Sequence, residues 1–279
     1  MELEAFTTLV TGLDHPEGVA WGPDGRVYAG GEAGQIYGVE LDGRVSQIAS
    51  TGGFVYGVAL DADSNVYACE FGRTEVVRVS PDGTVVPYSN GTDDRPMRVP
   101  NFCAFDAEGN LYVTDSGVWG DDDGVVFRVR PGGKTDVWTE ATPRFPNGCC
   151  LTVDGDALLV VESRGRVVVR VPIGDDGVAG SPEATADLSG SQPDGVALAA
   201  DGTMFVGCYR PDRIWRVEPD GRASILVEDP DGVVLNQPAN VAFIGAALDR
   251  VAVSSLGGWS LMTADVGATG LPLRTPLIA

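Results

Sequence analysis

Short apolar segments with a period of two recur along the entire chain. Segments such as Glu75–Val79, Val126–Val129 and Ile214–Val217 alternate apolar and polar residues, which is the pattern of a β-strand with one buried face. Asp-Gly pairs follow many of these segments and suit the positive φ angles of tight hairpin turns. No window shows sustained apolar spacing of 3.6 residues, so the pattern predicts an all-β protein with very little helix.

A seven-residue phrase, with proline at its second position in five of the copies, occurs six times. The copies begin at His15, Phe54, Val99, Phe145, Gln192 and Gln237. Successive copies are 39, 45, 46, 47 and 45 residues apart, and each leads through turns into further short strands. Four antiparallel strands in each unit are typical of a β-propeller blade. The repeat therefore predicts a six-bladed β-propeller that forms a single domain over residues 1–279.

The sixth unit lacks a convincing fourth strand. The stretch Ala5–Val10 precedes the first copy of the phrase and resembles Ala223–Val227, the fourth strand of the fifth unit. A propeller must close its ring, because an open ring would leave a sheet edge exposed. We therefore predict that the N-terminal strand completes the sixth blade.

The charge balance bears on the kind of partner that the protein binds. With 19 basic and 40 acidic residues, the net charge is -21 and the isoelectric point is near 4.2. Such a surface repels phosphate backbones, so nucleic acid is an improbable partner, whereas metal cations are favoured. Many aspartates lie in Asp-Gly turns, so the acidity can also be explained simply as a well-solvated surface.

The location and assembly of the protein are expectations drawn from weaker signals. No stretch approaches the roughly 18 consecutive apolar residues that a membrane helix needs. The acidic N-terminus lacks the features of a signal peptide, so we expect a cytoplasmic protein. The five cysteines lie in apolar runs without paired spacing, which indicates buried thiols. We expect a monomer or a weak homo-oligomer that acts on a small molecule.

The first strand of every propeller blade lines the central channel, so equivalent positions in the repeats converge around one axis. The residues after the proline position are Glu17, Tyr56, Asn101, Asn147, Asp194 and Ala239. Taken singly, the carboxylates and asparagines would be ordinary turn or strand-end residues. Together, two carboxylates and two amide oxygens suit a hard divalent cation, which would also relieve the repulsion between the carboxylates. These six equivalent positions, which we call the column, predict a metal site at one mouth of the channel.

The phrases around this column also carry a family resemblance. They are Pro16-Glu17-Gly18, Pro100-Asn101, Pro146-Asn147-Gly148, Pro193-Asp194-Gly195 and Asn240-Val241-Ala242-Phe243. Over essentially its whole length, the chain resembles the gluconolactonase, regucalcin and luciferin-regenerating-enzyme family of six-bladed propellers. The resemblance implies that Glu17, Asn101, Asn147 and Asp194 bind one divalent metal and that Asp194 is also the general base. Calcium is the expected ion, with zinc, manganese or magnesium as alternatives.

The chain departs from the family pattern at positions that concern substrate preference. Valine replaces the usual proline after Glu17-Gly18, and Phe102 follows Asn101 where relatives often have aspartate. Some relatives contact sugar through an arginine two residues before the first asparagine, whereas that position is valine here and Arg98 lies one residue further away. The predicted substrate contacts are Arg98, Asn101, Tyr56, Trp119 and Tyr209.

Other chemical groups give weaker signals. His15 is the only histidine, and strand alternation would place it on the same side as Glu17. Ser116, Ser163 and Ser254 follow predicted second strands, but no nucleophile elbow is present, so a serine triad is improbable. The acidic segment 118–124 is either a solvated turn or a lid over the channel mouth.

Three functions are consistent with these residues. The first is metal-dependent hydrolysis of a lactone, in which the metal polarises the carbonyl and Asp194 deprotonates the attacking water. The second is phosphotriester hydrolysis at the same metal site. The third is a non-enzymatic propeller that binds a metal or a small ligand. We expect the first, with a sugar aldonolactone or a related small lactone as substrate.

Overall fold

The computed structural model of the protein describes residues 1–278 and contains six four-stranded antiparallel sheets. A single turn of 3-10 helix at Leu3–Ala5 precedes strand β1 (Thr7–Thr11). Within residues 1–278 no other helical segment occurs, and no helix has the length and apolar character needed to cross a membrane. The predicted all-β, six-bladed propeller is confirmed.

Each blade follows the chain from its inner strand to its outer strand. Blade 1 contains β2 (Val19–Trp21), β3 (Val27–Gly30), β4 (Gln35–Val39) and β5 (Val45–Ser50). Blade 2 contains β6 (Val55–Leu60), β7 (Val66–Glu70), β8 (Glu75–Val79) and β9 (Val85–Ser89). Blade 3 contains β10 (Pro100–Phe105), β11 (Leu111–Asp115), β12 (Val125–Val129) and β13 (Thr135–Thr139).

The second half of the ring repeats this order. Blade 4 contains β14 (Pro146–Leu151), β15 (Ala157–Glu162), β16 (Val167–Pro172) and β17 (Glu183–Asp187). Blade 5 contains β18 (Gln192–Leu198), β19 (Met204–Arg210), β20 (Asp212–Val217) and β21 (Ala223–Glu228). Blade 6 contains β22 (Pro238–Ile244), β23 (Arg250–Ser255), β24 (Ser260–Ala264) and the N-terminal strand β1.

The N-terminal strand closes the ring, as the sequence predicts. Strand β1 pairs antiparallel with β24, and the pairing extends from Thr7 opposite Thr263 to Thr11 opposite Ser260. Val10 of β1 is buried whereas Thr7, Thr8 and Thr11 are exposed, and a β-bulge between Thr8 and Val10 interrupts the pairing register. Closure therefore gives the edge of β24 a hydrogen-bonded partner.

The core lies between adjacent blades. Tyr67 of blade 2 packs edge-on against Phe105 of blade 3, with ring centroids 4.9 Å apart. Phe205 and Phe243 make the same kind of contact between blades 5 and 6, at 5.6 Å. All five cysteines are buried and free, as their apolar surroundings predict. Each blade thus buries both faces of its sheet against its neighbours.

The inner strands approach one another closely near the predicted metal ligands. A Cβ atom at Gly148 would lie 2.6 Å from the carbonyl oxygen of Asp194, and one at Gly18 would overlap the carbonyl oxygen of Tyr56. These clearances are too small for any side chain. Glycine after the column residue therefore allows neighbouring inner strands to meet, which brings the column residues towards one another.

The opposite end of the channel is apolar and is crossed by the C-terminal segment. A cavity of about 470 Å³ there is lined by the inner strands and by Leu271–Thr275. The Leu271 amide donates to the carbonyl oxygen of Leu198 at 2.8 Å, and the Arg274 guanidinium donates to that of Val153 at 3.0 Å. The two ends of the channel therefore differ in chemistry, and the candidate metal ligands lie at the other end.

Candidate functional site

Four oxygen-bearing side chains begin the inner strands of four blades. Glu17 lies two residues before β2, Asn101 and Asn147 are the second residues of β10 and β14, and Asp194 is the third residue of β18. Their exposed fractions are only 8%, 4%, 3% and 5%, respectively. Buried polar groups at equivalent positions require a shared partner or hydrogen bonds.

The two carboxyl groups influence each other's protonation. Burial, and then the charge of Asp194, raises the pKa of Glu17 well above its usual range. In the protein alone, burial raises the pKa of Asp194 to about 7, and the side chain of Asn147 opposes part of this rise. The charges therefore lie close enough to repel each other, and they favour either a shared proton or a cation.

The orientation of the Asn147 amide follows from its hydrogen bonds. The Ser163 hydroxyl donates to the carbonyl oxygen of Pro193 at 2.6 Å, since a carbonyl can only accept. Its oxygen therefore accepts from the Asn147 Nδ2 group at 3.1 Å. This arrangement turns Oδ1 of Asn147 away from Ser163. Ser163 thus fixes the side chain of one candidate ligand and contacts the strand that carries another.

Two of the four candidate ligands have a buried oxygen without a hydrogen-bond partner within the described chain. These oxygens are Oδ1 of Asn147 and Oδ1 of Asp194. Leaving such atoms unpaired costs about 1–3 kcal/mol each, and a cation would satisfy both. Two carboxylates and two amide oxygens form a donor set typical of calcium or magnesium. The residues present therefore fit a hard divalent cation.

β-bulges occur at the column position in blades 2 to 6. The pairing register shifts at Val55/Val58, Pro100/Phe102, Pro146/Cys149, Pro193/Val196 and Pro238/Val241. A bulge changes the direction of a side chain and is common beside active sites. Asn101 makes no side-chain hydrogen bond within the described chain, so its place at the mouth depends on this shared register. Sequence patterning does not reveal the bulges.

Two predicted substrate contacts lie beside the carboxyl groups. Burial, followed by the charges of Glu17 and Asp194, raises the pKa of Tyr56 above its usual range. Burial and the charge of Asp194 raise the pKa of Tyr209 to about 12. Tyr56 lies at the start of the inner strand β6 and Tyr209 lies near the end of the second strand β19, so both phenols lie at the same mouth.

The other predicted substrate contacts take part in a loop network. Residues 118–124 connect β11 to β12, and the Arg98 guanidinium forms an ion pair with Asp123 of this loop. Trp119 packs edge-on against Phe145, with ring centroids 4.7 Å apart. Arg164 of blade 4 pairs with Asp122. The loop is therefore bound to neighbouring loops, and the charge of Arg98 is neutralised within the protein.

Carboxylates at the ends of second strands hold the segments that lead into the inner strands. Oδ2 of Asp115 accepts from the backbone amides of Arg98 and Val99 at 2.6 and 3.1 Å. Oε1 of Glu162 accepts from the amide of Arg144 at 2.8 Å, and Oε2 accepts from its guanidinium. These carboxylates fix the backbone just before Asn101 and Asn147, a role that the sequence analysis missed.

His15 precedes the inner strand and does not continue it, so strand alternation does not apply to its side chain. It has a φ of 39° before Pro16, and β2 begins only at Val19. The Trp259 indole donates to Nε2 of His15 at 3.2 Å, so Nδ1 carries the proton of the neutral ring, and it lies 2.6 Å from Oε2 of Glu32.

Asp14, His15 and Glu32 have ligand atoms close enough to surround a metal ion. If a metal bound Nδ1 of His15, Nε2 would have to carry the ring proton. Nε2 could then no longer accept the hydrogen bond from the Trp259 indole. Asp14 is engaged as well, because its Oδ2 accepts from the amide of Ala33 and the side chain of Gln35. We therefore interpret this cluster as a hydrogen-bonded network between blades 1 and 6.

The raised pKa values predict how stability depends on pH in chelator-treated protein. In the unfolded chain Asp194 ionises near pH 4, whereas in the folded protein it retains its proton until about pH 7. The folded state thus binds more protons between these values, so the free energy of unfolding falls as the pH rises through this range. We expect a decrease of about 2–4 kcal/mol from pH 4 to pH 8 in urea denaturation.

A double variant controls for the other titrating groups. Glu17→Gln with Asp194→Asn removes both ionisations, so its stability curve should be flatter than that of the unmodified protein by this amount. Calcium should stabilise the unmodified protein more at pH 8 than at pH 5, because ligating carboxyls must lose their protons. Parallel curves for the two proteins would contradict the electrostatic interpretation.

Comparison with protein families gives two matches. A family model described as the SMP-30/gluconolactonase/LRE-like region matches residues 85–257, which is more than half of the chain. A model described as strictosidine synthase-like, N-terminal, matches residues 2–39.

Two curated proteins are similar to parts of the chain. Protein STRICTOSIDINE SYNTHASE-LIKE 3 of Arabidopsis thaliana is 32% identical over 151 residues, which cover 48% of this chain and 38% of that protein. Lactonase drp35 of Staphylococcus haemolyticus is 27% identical over 195 residues, which cover 65% of this chain and 59% of that protein. The chain thus spans less than two thirds of the length of each relative.

Solved structures share the fold at low sequence identity. A gluconolactonase from Xanthomonas campestris superposes with a TM-score of 0.80 at 20% identity, covering 95% of this chain and 89% of that one. A calcium-binding protein, regucalcin from Agrobacterium tumefaciens, superposes with a TM-score of 0.77 at 19% identity, covering 98% and 99%. These similarities establish that the fold is shared along nearly the whole chain.

Proposed function

Because this chain belongs to the SMP-30/gluconolactonase/LRE-like family, we propose that it is a metal-dependent hydrolase that opens lactone rings. The buried group of two carboxyls with unpaired Asn147 and Asp194 oxygens is the observation that carries the proposal. Lactonase drp35 and the gluconolactonase from Xanthomonas campestris support the reaction class.

The proposed metal ligands are Glu17, Asn101, Asn147 and Asp194. A divalent cation held by these residues would polarise the ester carbonyl and acidify a water molecule. Calcium is our first choice, because the donors are all oxygens and zinc prefers nitrogen or sulfur ligands. The calcium-binding regucalcin neighbour is consistent with this choice.

Asp194 is the proposed general base. It is buried at the mouth, and its Oδ1 has no partner within the described chain, so it can accept a proton from a water molecule at that position. The hydrogen bond from Nδ2 of Asn147 to Ser163 holds the amide so that Oδ1 points away from Ser163 and is available to a metal. Tyr56 and Tyr209 border the same space and can position the substrate. The chain thus supplies a proton acceptor, Asp194, and fixed polar side chains around it.

Hydrolysis of a lactone panel by chelator-treated protein tests this proposal. Aldonolactones and simple γ- and δ-lactones would be followed by proton release, with calcium, zinc, manganese or magnesium restored separately. We expect turnover that requires a restored metal. Metal binding without turnover of any lactone would contradict the proposal, and a parallel phosphotriester assay would then identify the alternative hydrolase activity.

A further inference from the structure

The exposed aromatic side chains of the protein are concentrated at one face. Within residues 1–278, only Phe71, Trp119 and Trp259 are exposed among the aromatic residues, at 41%, 43% and 50%. Each lies in the connection between the second and third strands of its blade. In a blade whose strands run antiparallel, that connection emerges at the same end as the start of the inner strand. All three side chains therefore surround the mouth that holds Glu17 and Asp194.

In blade 2, three aromatic rings form a continuous surface that we call the aromatic wall, consisting of Phe54, Tyr56 and Phe71. Phe71 stacks on Tyr56, with ring centroids 5.3 Å apart and an interplanar angle of 20°. Phe54 packs edge-on against Tyr56 at 4.7 Å. Tyr56 is close to both Glu17 and Asp194, whose charges act on its phenol. The wall thus extends from the candidate metal ligands to solvent.

Three arginines of this face are already paired with carboxylates of the protein. The guanidinium of Arg98 is paired with Asp123, and that of Arg164 is paired with Asp122. Arg144 is engaged by the buried Glu162. With a net charge of -21, the protein repels anions in general. An uncharged substrate avoids this repulsion, whereas the carboxylate product of hydrolysis would be expelled.

The aromatic wall combines one exposed ring, Phe71, with the half-buried rings of Phe54 and Tyr56. Clusters of apolar side chains beside a few polar groups are typical of sites that bind small apolar molecules. A polyhydroxylated lactone would instead need several hydrogen-bond partners, and the guanidinium of Arg98 is already used by the loop. The wall therefore favours carbon substituents over hydroxyl groups.

We propose that the preferred substrates are uncharged lactones with an alkyl or aryl substituent, and that this substituent packs against the aromatic wall of Phe54, Tyr56 and Phe71. This inference rests on the proposed lactonase function. In the reaction, water oxygen bonds to the carbonyl carbon, the ring C–O bond breaks, and the proton taken from water reaches the departing alkoxide. The product is a hydroxy acid, which releases its carboxyl proton to solvent to give a hydroxy carboxylate, and no oxidant or reductant is needed.

A chain-length series tests the proposal. The metal-restored protein would be assayed with γ-butyrolactone and with γ-lactones that carry butyl and hexyl side chains, beside glucono-δ-lactone. We expect kcat/KM to rise by up to about four-fold for each methylene that becomes buried against the wall. Glucono-δ-lactone should be a poorer substrate than the hexyl lactone.

Variants of Phe71 assign the effect to the wall. Phe71→Ala should abolish the chain-length dependence, so that the ratio of kcat/KM for the hexyl lactone to that for γ-butyrolactone falls to about one. Phe71→Leu should restore part of the dependence. Ile225→Ala is a matched control, because Ile225 is 44% exposed on the outer strand β21 of blade 5 and should change nothing.

A binding measurement supplies a readout that is independent of turnover. Calorimetry of chelator-treated protein with 2-alkylcyclopentanones, which cannot be hydrolysed, should show affinity that rises with alkyl length and loses this rise in Phe71→Ala. Turnover that is indifferent to chain length, or that is fastest with glucono-δ-lactone, would overturn the substrate assignment while the lactonase proposal stands. If no lactone were hydrolysed with any metal, the proposed function itself would fail.

Discussion

Asp194→Ala will lower kcat/KM for lactone hydrolysis by at least about 10³-fold, the scale of losing a general base together with a metal ligand. Asp194 is 5% exposed, and its Oδ1 has no hydrogen-bond partner within the described chain, so the carboxylate is available to both a metal and a water molecule. Steady-state kinetics with saturating metal measures this loss. Metal affinity should fall as well, which calorimetry with calcium would show.

Stability measurements separate this effect from unfolding. Burial raises the pKa of Asp194 to about 7 in chelator-treated protein. At pH 8 the side chain is therefore charged, and this buried charge lowers the free energy of unfolding. Asp194→Asn should therefore be at least as stable as the unmodified protein at pH 8, although it is inactive. Asp220→Ala, in an exposed Asp-Gly turn, is a matched aspartate control with full activity. An active, metal-loaded Asp194→Ala protein would exclude Asp194 as the base.

The sequence predicts the fold well because a propeller repeats one local pattern six times. Period-two alternation and regularly spaced turns identify the strands, and the equivalent positions of Glu17, Asn147 and Asp194 follow from the same spacing. Closure by β1 was predictable because the sixth unit lacks a strand and the N-terminal stretch matches its pattern. Because the repeat is regular, the spacing of residues along the chain predicts where they lie in the propeller.

Features that vary between blades could not be predicted in this way. The aromatic wall depends on Phe71, which lies in a turn that has no counterpart of the same length in blade 3. His15 departs from strand alternation because its backbone adopts a positive φ before proline. Asn240, whose buried Oδ1 also has no partner within residues 1–278, lies one residue beyond the position that the alignment selected. Such details depend on backbone hydrogen bonding between strands rather than on composition.

Removal of residues 1–11 will destabilise the protein by more than about 5 kcal/mol, because it deletes the outer strand of blade 6. Phe6 and Val10 are buried between the blades, and losing each costs about 2–5 kcal/mol by the scale of large core truncations. The deletion also exposes the edge of β24, which then becomes available for pairing with other chains. Since whole domains are stable by only about 5–15 kcal/mol, we expect the truncated protein to be largely unfolded or aggregated.

Point substitutions in β1 distinguish ring closure from a general effect of shortening the chain. Val10→Asp places a charge against the core between blades 6 and 1, and it should lower the free energy of unfolding by about 3 kcal/mol or more. Thr8→Asp adds the same charge to the exposed face of the same strand and should cost less than about 1 kcal/mol. Urea denaturation measures both. Equal losses for the two variants, or a truncated protein with an unchanged urea midpoint, would show that β1 does not hold the ring closed.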